Sequence, residues 1–99
     1  MVASQLLIRA NSEKENNPQQ AFDLAEQAAK LDPSLGLAHL IMCRSYRAFG
    51  DDESARNECR TGLALLRQDP EYSPRVVQYI EDLITKSGLQ LDSNAAVQP

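Results

Sequence analysis

Apolar residues return at helical spacing along most of the chain, and the returns break at Asn17-Pro18, Asp32-Pro33, Gly50 and Ser73-Pro74. That pattern predicts five helices. The first, from about Ser4 to Glu15, carries a narrow stripe of Leu6, Leu7 and Ala10. The second opens at Asn17-Pro18, where asparagine suits the N-cap, proline suits the first turn and Gln20 can reach back as in a capping box. It runs to about Leu31 with Ala21, Leu24, Ala25, Ala28 and Leu31 on one side. Ser34 is expected to cap the third helix, from about Leu35 to Phe49. Leu37, Ala38, Leu40, Ile41 and Met42 make that helix apolar on more than one side, so it should be the most buried. Gly50 can take the left-handed conformation that closes it. Asp51 or Asp52 then caps a fourth helix reaching about Gln68.

Ser73-Pro74 opens the fifth helix, expected to end near Ser87. Val76, Val77, Ile80, Leu83 and Ile84 form its apolar side, and Arg75, Gln78, Glu81, Asp82 and Lys86 its polar side. One wet face suits the last element of a stack, which must shield the open end of the core. After Gly88 the helical pattern stops, and residues 88–99 are expected to form a flexible tail.

Two of these segments repeat. Ala21 and Ala55 are 34 residues apart, and the same offset pairs Ala25 with Cys59, Ala28 with Gly62 and Leu31 with Leu65. Small residues one turn apart permit close helix crossing. Asp32-Pro33 and Asp69-Pro70 are offset by 37, which predicts about one extra turn on the fourth helix. A period of about 34 residues is the tetratricopeptide length. With Tyr46, Gly50, Ala55 and Gly62 in the second unit and Ala21, Ala28, Leu31, Asp32 and Pro33 in the first, residues 2–70 resemble the tetratricopeptide repeat family. Gln5 and His39 replace its early aromatic, and Asn16 its inter-helix glycine.

The resemblance implies an all-α, right-handed helical-hairpin solenoid over residues 1–87, with repeats at 2–35 and 36–70 and a capping helix at 74–87. In such a stack the first helix of each pair lines a concave groove. Carried over, the groove positions are Leu6, Ala10, Glu13 and Lys14 in the first unit and Leu37, Leu40, Arg44, Arg47 and Ala48 in the second. A surface apolar at one end and cationic at the other would take a peptide or helix of a partner protein bearing an acidic group. The alternative is a self-associating assembly subunit, because about three repeats complete a stable stack and this chain has two and a half.

Charge and composition narrow the function further. The formal net charge is −4 and no basic run occurs among the 99 residues, which disfavours nucleic acid as a partner. No apolar stretch approaches the roughly 18 residues of a membrane span. The N-terminal segment lacks the pattern of a secretory signal, so cytoplasmic residence is expected. There the two cysteines, Cys43 and Cys59, would be buried reduced thiols; a disulfide requires Cα atoms within about 7 Å. His39, four before Cys43, adds a third potential zinc ligand, but a structural site takes about four. No metal, cofactor or catalytic constellation is expected, since Asp51, Asp52 and Glu53 are accounted for by helix capping.

Overall fold

The computed structural model describes residues 3–13 and 17–91. The Glu13 side chain, residues 14–16 (Lys14 and Asn16 included) and 92–99 lie outside the described residues. Among those described there are five helices: α1 (Ala3–Glu13), α2 (Pro18–Leu31), α3 (Gly36–Ala48), α4 (Asp52–Gln68) and α5 (Pro74–Lys86). Short connections fold them into antiparallel pairs, with α2 packed on both α1 and α3, and α3 packed most extensively on α4. At 17 residues against 14, α4 exceeds α2 by the three residues that the proline offset requires.

The helix starts are set by local chemistry. Asn17, Asp51 and Ser73 accept hydrogen bonds from the backbone N–H groups of Gln20, Ser54 and Val76, at 3.1, 3.1 and 3.2 Å. The Asp51 carboxyl is held below its usual range, first by the backbone N–H of Ser54 and then by its hydroxyl. Ser34 does not cap α3 as expected. The N-cap position of α3 falls on Leu35, which has no side-chain oxygen, and Ser34, one residue earlier, donates its N–H and its hydroxyl to Asp32 Oδ1 at 3.1 and 2.6 Å. Gly50 closes α3 with φ at 86°.

Two apolar cores follow the two hairpins. Leu6, Ala10, Ala21, Leu24, Ala25, Ala28, Ala38, Ile41 and Met42 fill the first. Cys43, Ala55, Cys59, Leu63, Leu66 and Val77 fill the second, together with Leu89 and Leu91. Both repeat alanines, Ala21 and Ala55, are fully buried at their crossings, whereas Leu31 is 60% exposed at the end of α2. Phe22 of α2 meets Tyr46 of α3 edge to face at 5.0 Å, joining one repeat to the next. Burial pushes the Tyr46 phenol up, and the nearby carboxylates of Glu58, Asp51 and Glu26 add to the shift.

The closest approach is between α3 and α4. A Cβ at Gly36 would lie 2.7 Å from the Gly62 carbonyl oxygen, and one at Gly62 would lie 2.8 Å from the Gly36 oxygen. Backbone touches backbone there, which only glycine permits on both sides.

The chain beyond α5 departs from the expected loose tail at its first residues. Leu89 and Leu91 are 2% and 8% exposed, so the segment after Gly88 packs into the second core. Gly88, at φ 105°, makes the turn that sends it there.

Candidate functional site

The first helix of each hairpin and the fifth helix face one side of the molecule. Between α1, α3 and α5 runs a groove of about 890 Å³, lined by Leu7, Ile8 and Asn11 from α1, by Leu37, Leu40, Ile41, Arg44, Arg47 and Ala48 from α3, and by Ile80, Leu83 and Ile84 from α5. Cys43, Cys59, Ser87 and Leu89 complete its lining. The walls are mostly apolar, with Ile8 70% and Leu83 50% exposed on opposite sides.

The structure places the residues singled out in the sequence as follows. Leu37, Leu40, Arg44, Arg47 and Ala48 all line the groove. Leu6 and Ala10 do not, and this corrects the expectation for α1. They are 4% and 0% exposed and belong to the first core with Leu24 and Ala25 of α2. Leu6 and Ala10 are the buried part of the α1 stripe, so α1 offers the groove the half-buried stripe member Leu7 and, beside it, Ile8 and Asn11.

Both arginines reach the groove, and Arg44 is exposed there. Arg47 crosses from α3 to the end of α5, where its guanidinium donates to the Ser87 hydroxyl at 2.9 Å and to the Ser87 carbonyl at 3.3 Å, while Nε lies 3.5 Å from Asp52. A cation on the carbonyls that end a helix satisfies orphan acceptors and the helix dipole together. Arg47→Ala is therefore expected to cost about 1 kcal/mol. Its signature is faster amide exchange in α5 than in α1–α4, measured by hydrogen exchange; uniform exchange across the five helices would contradict the clamp.

The cysteines correct another expectation. Cys43 and Cys59 are buried, at 3% and 2% exposure, but they are not free thiols. They form a disulfide across α3 and α4 with Cα atoms 5.3 Å apart, inside the bonding range. His39 Nδ1 lies 2.9 Å from Glu58 Oε1. Both sulfurs are thus bonded to each other and one imidazole nitrogen is engaged by a carboxylate; among the described residues no group of three or more His, Cys, Asp or Glu side chains converges as a metal site.

Within the described residues, no helix is long and apolar enough to cross a membrane. No curated protein and no solved structure gives a match to the chain. The family model described as tetratricopeptide repeat matches residues 13–74, from the end of α1 to the first residue of α5. That match covers more than half of the 99 residues and contains the stacked α2, α3 and α4, so the chain belongs to the tetratricopeptide repeat family, whose domains generally serve as protein–protein interaction modules.

Proposed function

We propose that the groove between α1, α3 and α5 receives an apolar peptide or helix of a partner protein, with an acidic group of that segment against Arg44. The observation that carries this reading is the pairing of Ile8 and Leu83, large apolar side chains left exposed on the two walls of one groove. Its volume of about 890 Å³ is in the range of a specific binding cleft. Apolar burial supplies affinity and the arginine selects the orientation of the acidic group.

Because Ile8 and Leu83 already face solvent, Ile8→Asp with Leu83→Asp is expected to leave the melting temperature nearly unchanged while weakening capture of the parent's partner at least about tenfold. Arg44→Glu should weaken it more in low salt, where attraction is less screened. Unchanged partner affinity in both variants would remove the groove as the site.

Self-association is favoured by one separate feature. Val76 and Tyr79 of α5 are 45% and 63% exposed and lie three residues apart, hence on one face. Sedimentation velocity decides this reading: a monomer at micromolar concentration rejects it, and a dimer lost on Tyr79→Asp supports it.

The compartment depends on the cysteines. A cytoplasmic chain would hold Cys43 and Cys59 as a dithiol, whereas the bonded pair fits an oxidising compartment. The intact mass of the chain after alkylation, taken directly from its source, separates the two.

A further inference from the structure

Residues 89–91 sit on the protein as a bound peptide would. Leu89 and Leu91 are buried while Gln90 between them is exposed, the alternation of an extended chain laid on a surface. The two leucines pack among Cys59, Leu63, Leu66 and Val77. Two guanidinium groups on α4 hold the main chain: Arg56 Nε donates to the Gln90 carbonyl and Arg60 Nε to the Leu91 carbonyl, each at 2.6 Å. Arg56 and Arg60 are four residues apart, so they stand on one face of α4 and grip consecutive carbonyls as a ladder. Contacts to main-chain carbonyls carry no sequence preference; the leucine pockets do. Arg60 also keeps a buried guanidinium nitrogen with no hydrogen-bond partner, a donor left for a further acceptor.

We propose that this face of α4 is a docking site for an extended Leu-Xaa-Leu segment, filled in this chain by its own Leu89-Gln90-Leu91 and open to the same pattern in a partner protein when that segment is displaced. Gly88, at φ 105°, is the hinge on which the segment turns back from α5. Leu89 also lines the groove, so displacement would widen the groove as it vacates the α4 face. The inference stands on Arg56, Arg60 and the leucine pockets, and it holds or fails independently of the groove reading.

The test uses the full chain carrying Leu89→Ser and Leu91→Ser, and a fluorescent, end-capped peptide Ser-Gly-Leu-Gln-Leu-Asp as the probe. In the parent the chain's own segment competes at an effective concentration of about millimolar. The variant is therefore expected to bind the peptide at least about tenfold more tightly than the parent does. Adding Arg56→Gln and Arg60→Gln should reverse that gain, and a peptide with serine in place of both leucines should not bind. Equal affinity of parent and variant, no binding to either, or indifference to the arginines would overturn the proposal. If the double variant loses its helical circular dichroism, recovery of that signal on adding millimolar peptide supports the site, and no recovery counts against it. Leu91→Ser alone, at the more exposed of the two leucines, gives the same comparison in a milder background.

Discussion

Replacing Gly62 with leucine is expected to destabilise the chain by about 3 kcal/mol, at the upper end of the usual cost of overpacking. A Cβ at this position would lie 2.8 Å from the Gly36 carbonyl oxygen and 2.9 Å from Leu40. The reciprocal position is equally tight, since a Cβ at Gly36 would meet Leu66 at 2.9 Å as well as the Gly62 oxygen. Leu40 could turn aside, but the backbone oxygen cannot, so α3 and α4 would have to separate along the most extensive helix contact in the fold. Alanine would already be too large, although it gains about 1 kcal/mol of helix propensity over glycine. Ala64 is the control: it lies two residues away on α4 and is exposed, so Ala64→Leu should change stability by no more than about 0.5 kcal/mol. Urea denaturation of the two variants checks this. Equal midpoints would mean that α3 and α4 do not cross at Gly36 and Gly62.

Breaking the Cys43–Cys59 bond is expected to cost about as much. The cross-link spans 16 positions, and closing a loop of that length in the unfolded chain is worth about 3 kcal/mol. For a domain of this size such a loss lowers the melting temperature by at least about 10 °C. The effect should be slow to appear, because both sulfurs are buried and a thiol reductant reaches them only when α3 and α4 part. Cys43→Ala with Cys59→Ala should melt at the lower temperature and ignore reductant. Calorimetry with and without a dithiol reductant measures both, and a parent chain whose melting does not respond to full reduction would contradict a structural cross-link.

The sequence showed most where the controlling interaction is local. Asn17, Asp51 and Ser73 could be recognised as caps because each needs only a backbone N–H three residues on. The 34-residue offset identified Ala21 and Ala55 as crossing residues because a helix crossing tolerates few side chains. Ser34 misled because α3 begins at Gly36, which puts Leu35 at the N-cap and Ser34 one position too early, where its N–H and hydroxyl turn back to Asp32. Leu6 and Ala10 misled for a different reason: they were carried over as groove positions from the resemblance, whereas in α1 they face α2 and leave the groove to Leu7, Ile8 and Asn11. Ile8 and Asn11 carry no helical-period signal and become visible only when α1, α3 and α5 are placed together. Leu89 and Leu91 were hidden because their period is two, in a stretch where helical periodicity had ended. The alternation Leu-Gln-Leu directly after a glycine was the available signal. The contact of Gly36 with Gly62 joins residues from two helices and has no local signature beyond the glycines themselves.

Whether the groove between α1, α3 and α5 holds the partner is decided by site-specific photocrosslinking in the source cells. A photoreactive benzoylphenylalanine would replace, one at a time, Ile8, Leu83 and Leu31, all at least half exposed, so that folding is preserved. Ile8 and Leu83 lie on the two walls of the groove, whereas Leu31 lies away from it at the end of α2. One shared cross-linked protein is expected from positions 8 and 83, and none from position 31. A partner caught from position 31 alone, with nothing from 8 or 83, would contradict it.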